Sequence, residues 1–253
     1  MLKTRLIPTL LLRNGSLVKT KKFKSFNYIG DPANTLRIFN ELEVDEITVL
    51  DISSSMKDSL QDLKCLKEIA EECFMPLSYG GGIDTLDKAK QIFDIGFEKI
   101  VINTHAVNKP ELITEIASIY GSQAVIVSID YKTNFLGKKT VRTYCGNKNT
   151  HLDPILWAKE VEKFGAGEIL LTSIDNEGTW SGFDYDMISQ ISEKITLPLI
   201  AHGGAGSLNH ISKVINECGA SAVALGSMVV YQKKDYGVLI NFPDQDKIKE
   251  ILK

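Results

Sequence analysis

Cysteine is scarce in this chain of 253 residues, and the four present, Cys65, Cys73, Cys145 and Cys218, form no CxxC pair and stand far apart. That pattern excludes a disulfide framework and a cysteine-based zinc site, and it fits free thiols in a reducing compartment such as the cytoplasm. The four histidines, at 105, 151, 202 and 210, lack the i, i+4 spacing of a helical metal site, so no metal is expected. No cofactor fingerprint is present either. There is no apolar run of about 18 residues, and MLKTRLIPTLLLRNG is too short and too soon interrupted for a signal peptide. A formal net charge of −3 supplies no field that would draw the chain to nucleic acid or an anionic membrane. Neither is expected as a partner.

What is there reads as an ordinary globular protein, 43% hydrophobic and 24% charged. A single domain of this length buries roughly three quarters of its unfolded surface. Short apolar runs alternate with longer amphipathic ones, the βα rhythm of a parallel sheet. Strands are predicted at 6–12, 47–52, 76–79, 99–102, 124–130, 168–172, 197–201 and 222–225. They are rich in Val, Ile and Leu without strict alternation, as strands covered on both faces should be. Helical stretches between them have readable ends: Asp84 and Asp87 to Gly96, Pro110 to Gly121, Asp153-Pro154 to Gly165, and Ser207 to Gly219. Eight strands, each followed by a helix, predict one (β/α)8 TIM barrel over residues 1–253. A doubly wound sheet would need a nucleotide fingerprint after its first strand, and none follows.

The chain also repeats itself. PLSYGGGIDTLDKAKQIFDIGFEKIVINT, from Pro76, aligns with PLIAHGGAGSLNHISKVINECGASAVALGS, from Pro198. EITVLDIS from Glu46 aligns with EILLTSID from Glu168, and RLIPTLL with AVIVSID. Two duplicated four-strand halves argue for one pseudo-twofold barrel. Function in such a barrel sits at the carboxyl edge of the strands. There the repeat places Gly81 and Gly82 beside Asn103 and Thr104, and Gly203 and Gly204 beside Gly226 and Ser227. Glycine lets backbone N–H groups approach an anion, and the following helix points its positive end the same way. Two such cradles on opposite sides of one mouth suit a phosphorylated small molecule with a phosphate at each end; tight βα turns alone are the competing reading.

RLIP at the start, LDIS at 50–53, YGGGI at 79–83, INT at 102–104, GSQAVIVSID at 121–130, GAGEILLTSID at 165–175 and GGAG at 203–206 resemble the HisF-like cyclase subunit of imidazole glycerol phosphate synthase. The match covers nearly the whole chain. It implies ammonia-dependent cyclisation of a phosphoribulosyl intermediate, a lyase without a cofactor. It also implies a glutaminase subunit docked on the N-terminal barrel face that sends ammonia up the axis. The family closes the barrel bottom with a charged ring, which here would be Arg5, Glu46, Lys99 and Glu168; the competing reading is a plug that merely satisfies strand ends. Asp130 matches one of the family's two proton-transferring aspartates. By the internal repeat its mate should stand at 11, where this chain has Leu11, and a leucine cannot move a proton. Lys19, Asp51 and Thr172 match positions near the substrate. Glu177 takes the place of an acidic residue after strand six, and His202 stands where the family usually carries serine. Lys19, Lys21, Lys22 and Lys24 fall in a long loop after strand one, either a lid or a solvated basic loop.

TLLL where the cyclases read CLD resembles the second copies of this subunit found with surface-polysaccharide genes, the acetamidino-modification or glycosyl-amidation proteins. That resemblance implies a barrel that passes ammonia to a sugar amidotransferase. Two other readings stay open: a histidine-pathway cyclase in which Glu177 or a water replaces the missing acid, and a non-catalytic phosphate-binding scaffold that activates a glutaminase. A related isomerase barrel also uses paired aspartates, so Leu11 counts against it, and it has no need of the ring.

Overall fold

The apolar runs pair side by side in a computed structural model, which describes residues 4–53 and 63–252. Its strands are β1 (Arg5–Arg13), β2 (Ser16–Lys21), β3 (Lys24–Gly30), β4 (Ile47–Asp51), β5 (Leu77–Gly80), β6 (Lys99–Ile102), β7 (Val125–Thr133), β8 (Lys139–Thr143), β9 (Lys148–Asn149), β10 (Glu168–Ser173), β11 (Leu199–His202) and β12 (Ala222–Leu225). Eight of them, β1, β4, β5, β6, β7, β10, β11 and β12, are parallel neighbours in that order. The last returns to the first, with Arg5 opposite Ala222, so the sheet closes into a (β/α)8 barrel. The helices on its outside are α1 (Pro32–Glu41), α2 (Leu63–Glu71), α3 (Leu86–Ile95), α4 (Thr104–Asn108), α5 (Glu111–Tyr120), α6 (Pro154–Lys163), α7 (Tyr185–Ser192), α8 (Leu208–Asn216), α9 (Ser227–Val230) and α10 (Gln245–Ile251). Among the described residues no helix is long and apolar enough to cross a membrane.

Side chains alternate across a strand, so a closed barrel has two cores. Outward residues such as Leu6, Val49, Tyr79, Val127 and Ile169 join the helices in the larger core. Inward residues Ile7, Val101, Ile126, Leu170, Ile200, Ala222 and Ala224 form a separate core on the barrel axis, with Leu50 packed against it. Thr48 and Ser78 share that interior and satisfy each other at 2.9 Å.

Three departures from the sequence reading stand out. The basic stretch after β1 is a β-hairpin, not a loop: β2 pairs antiparallel with β1 and with β3. The matching excursion after β7 is β8 and β9, and it extends β7 three residues beyond Asp130 because Tyr131, Lys132 and Thr133 pair with β8. The helix after β5 is capped by Thr85, whose side chain accepts from the Lys88 N–H, while Asp84 pairs with Lys88 at 2.7 Å. The duplication survives in the backbone. A Cβ added at Gly81 would lie 2.6 Å from the Asp51 carbonyl oxygen, and one at Gly203 would lie 2.6 Å from that of Ser173. Both glycines have positive φ, so no other residue fits either turn without strain.

Asp153 caps α6 by accepting from the N–H groups of Ile155 and Leu156, with Pro154 in the first turn. Replacing Asp153 with alanine is expected to lower stability by about 1 kcal/mol in urea unfolding, whereas Asp87→Ala, which removes no cap bond, should stay within about 0.5 kcal/mol of the unmodified chain.

Candidate functional site

Inward parity decides which residues can meet on the axis. Arg5 on β1, Glu46 just ahead of β4, Lys99 on β6 and Glu168 on β10 all fall on it at the N-terminal end, and they meet there. Arg5 reaches Glu46 and Glu168, each at 2.6 Å, and Lys99 reaches the same two carboxylates at 3.0 and 2.8 Å. Two cations and two anions thus alternate in a closed ring. Burial opposes the charge on Glu168, but hydrogen bonds from Arg5 and Lys99 outweigh it and hold the carboxyl below its ordinary range. Next along the axis lies the apolar interior, and then the mouth.

The mouth is a cavity of about 610 Å³, lined from Leu11, Lys19 and Asp51 round to Asp130, Thr172, Glu177 and His202. Asp130 faces it from β7, with the Ser128 hydroxyl donating to its Oδ1 at 2.8 Å. Desolvation raises its pKa to about 6, against hydrogen bonds from Ser128 and Thr172 that pull it down. A carboxyl so poised exchanges a proton near neutrality. Leu11, its counterpart by the repeat, lines the same cavity and is 8% exposed. The β1 side of the mouth therefore presents hydrocarbon where an acid would stand.

Lys19 and Glu177 form a buried ion pair. Glu177 also accepts from the Phe23 N–H at 3.1 Å, and its carbonyl accepts from the Lys22 N–H at 2.9 Å. One residue of the β10–α7 connection thus ties down the tip of the β2–β3 hairpin, where Lys22 and Phe23 hold φ of 55° and 59°. His202 ends β11, buried rather than facing solvent as a plain turn residue would. Its Nδ1 lies 3.1 Å from the Thr172 hydroxyl. Desolvation and the Lys19 charge lower its pKa to about 4, against Glu177, so the ring is neutral at physiological pH.

The two glycine turns open on this mouth, and they differ. Gly81, Gly82, Asn103 and Thr104 line the large cavity. The Asn103 amide already donates to the carbonyls of Ser128 and Arg142, at 3.0 and 3.2 Å, and the Thr104 hydroxyl accepts from the Tyr144 N–H at 3.0 Å. Gly203, Gly204, Gly226 and Ser227 instead border a niche of about 10 Å³ that they share with Lys19, Glu177 and His202. A Cβ at Gly226 would lie 2.9 Å from Lys19 Cε, so glycine there is what admits the lysine. Asp51 lines the cavity, yet its carboxylate turns to the N–H and hydroxyl of Ser53, at 2.8 and 2.7 Å. Among the described residues no cluster of His, Cys, Asp or Glu is built to hold a metal.

Sequence reasoning missed Ser128 and Thr20. Ser128 stands two residues before Asp130, so strand alternation alone places both on the inner face. Thr20 lines the cavity with a buried hydroxyl that has no hydrogen-bond partner among the described residues, and nothing in the sequence marked it.

Residues 5–235 match the family model described as "Histidine biosynthesis protein". Four relatives carry names beginning "Putative imidazole glycerol phosphate synthase subunit". One is HisF of Leptospira interrogans, 44% identical with 97% of each chain covered. Another is hisF2 of Pseudomonas aeruginosa, 44% identical with 98% of this chain and 99% of the relative covered. Imidazole glycerol phosphate synthase subunit HisF of Methanococcus vannielii is 39% identical, with 93% of this chain and 94% of the relative covered. A family model spanning most of the chain, and full-length relatives at this identity, place the protein: it belongs to the histidine-biosynthesis family, among the HisF-like cyclase subunits of imidazole glycerol phosphate synthase.

Proposed function

We propose that this barrel works with a glutaminase docked on its N-terminal face, and that ammonia enters through the Arg5, Glu46, Lys99 and Glu168 ring. The ammonia would travel the apolar axis to the mouth. There a ligand with a phosphate at each end would bridge the two glycine cradles, with Lys19, Asp51, Thr172, Glu177 and His202 beside it. The output we infer is ammonia for a sugar amidotransferase that converts an N-acetyl group of a surface-polysaccharide sugar to an acetamidine. Leu11 carries this reading. A cavity that keeps Asp130 and the ring but has hydrocarbon at the second acid position lacks what cyclisation needs on that side, since general acid–base assistance is worth about 10²–10⁴-fold. The other reading is a cyclase of histidine biosynthesis, the process that the matching family model names.

The two separate in one assay. The purified chain and its Leu11→Asp variant are given the phosphoribulosyl intermediate with excess ammonium salt at alkaline pH, which bypasses the glutaminase. No turnover by the unmodified chain, with turnover appearing in Leu11→Asp, is expected; robust turnover by the unmodified chain would assign it to histidine synthesis.

Asp130 gives a pH signature. Its folded pKa of about 6 lies above the ordinary 3.8. Ionising it therefore costs stability, a cost absent below pH 3.8 and fully present above pH 6. Asp130→Asn should thus gain on the order of 1 kcal/mol over the unmodified chain at pH 8, water in the open cavity screening the rest, and nothing at pH 3.5. Denaturant unfolding at the two pH values checks this, and a loss at pH 8 would contradict it. Any chemistry that needs the carboxylate as base should rise through pH 6 and level off.

The ring has its own signature. Glu168→Ala strands Arg5 and Lys99 with one carboxylate between them, and a loss of about 1–3 kcal/mol is expected in denaturant unfolding at pH 7. Because the folded pKa of Glu168 is lowered, its contribution is present above its ordinary pKa of 4.5 and fades as pH falls below it. The difference between the two chains should shrink accordingly in acid.

A further inference from the structure

Register sets three polar side chains in a row at the mouth. Thr172 of β10 lies opposite Asp130 of β7 on one side and opposite His202 of β11 on the other. All three line the cavity. Register stands the Thr172 hydroxyl beside the Asp130 carboxyl, and its Oγ1 is 3.1 Å from His202 Nδ1. A hydroxyl has one proton to give. Given to the carboxylate, it leaves Oγ1 able only to accept from the ring, so the hydrogen of the neutral imidazole stands on Nδ1 and Nε2 keeps a lone pair. No hydrogen bond among the described residues engages Nε2. It sits 3.9 Å from where a Cβ would stand on Gly226, at the second cradle.

The charged groups facing this ring are Lys19 of β2 and Glu177 of the β10–α7 connection. Burial and Lys19 together keep the imidazole unprotonated down to about pH 4, while Asp130 holds its proton up to about pH 6. A proton reaching the row therefore comes to rest on the carboxyl end.

We propose that Asp130, Thr172 and His202 form a proton relay whose outer end, His202 Nε2, does acid–base chemistry on a phosphorylated ligand that carries an ionisable O–H or N–H beside the phosphate in the second cradle. In the forward step the ligand's X–H bond breaks and its proton joins Nε2, the electron pair staying on X. The Nδ1 hydrogen passes to Thr172 Oγ1 as the hydroxyl proton passes to Asp130. His202 ends neutral with its hydrogen on Nε2, Asp130 ends as a carboxylic acid, and the ligand carries the negative charge that Asp130 gave up. The reverse step returns the proton. Leu11 closes the β1 side of the mouth to proton transfer, and this row opens the β11 side. The inference rests on reading Asp130 as the group that moves protons.

The test is nitrogen NMR of the full chain labelled with [¹⁵N]histidine, the His202 signals identified by their loss in His202→Gln. At pH 8 the ring should be neutral with its hydrogen on Nδ1. The balance of ring forms should shift in one step near pH 6 as Asp130 takes up a proton, and Asp130→Asn should abolish that step. Thr172→Val should move the ring several-fold toward the Nε2–H form, while Thr172→Ser, which keeps the hydroxyl, should restore the original spectrum. An Nε2–H ring at pH 8, a step that persists in Asp130→Asn, or a Thr172→Ser spectrum matching Thr172→Val would each overturn the relay. Failure of the underlying reading looks different: Asp130→Asn would keep full ammonia-dependent output while the tautomer data stood unchanged.

Discussion

Everything at this site depends on the two-residue alternation of strands closed into a barrel. Because the sheet has no edge, every second side chain must face the axis, and each must be either apolar or satisfied by another inward residue. A slip of one residue in any strand would turn Glu46 or Glu168 into the helix layer and pull an apolar residue into the ring. The closed register, with Arg5 opposite Ala222, fixes four charged residues at one height and Asp130, Thr172 and His202 at another. Chemistry at both ends of the axis is thus a consequence of one pairing scheme.

Between those ends the electrostatics divide cleanly. The ring consists of charges that compensate one another in alternation, at 2.6 to 3.0 Å. At the mouth the charges are unequal in kind: one buried ion pair, Lys19 with Glu177, and one carboxyl held near neutrality with hydroxyls for neighbours. Such compensation suits a gate or plug, which must hold charge without titrating. A near-neutral carboxyl suits proton transfer, which must titrate at working pH. The apolar axis between them keeps the two from mixing.

Much of this was legible in the sequence because it rests on short-range rules. Glycine turns at 81–82 and 203–204, eight apolar runs, the caps at Asp153 and Ser207, and the charged strand starts all announce themselves locally. The β1–β2 turn, Asn14-Gly15, carries the usual Asn-Gly signal, but the β2–β3 turn does not. That second two-residue turn is made of Lys22 and Phe23, both with positive φ. That conformation is held from a distance by Glu177, which accepts from both residues' N–H groups, and no local pattern encodes a partner more than 150 positions away. Asp84 and Asp87 were read as opening the helix after β5, but Thr85 caps it while Asp84 pairs with Lys88. The state of His202 was hidden for the same cause, since its burial and its bond to Thr172 arise only when β10 and β11 pair.

The central proposal is that the mouth is a two-anion cavity, with one cradle per half-barrel. It is tested most directly by a crystal structure of the chain soaked in inorganic phosphate. The proposal predicts phosphate at both pseudo-twofold positions, one on the backbone at Gly81, Gly82 and Thr104, the other at Gly203, Gly204 and Ser227 with Lys19 drawn to it. A mouth that stays free of phosphate at both positions, at concentrations that saturate ordinary phosphate sites, would contradict it.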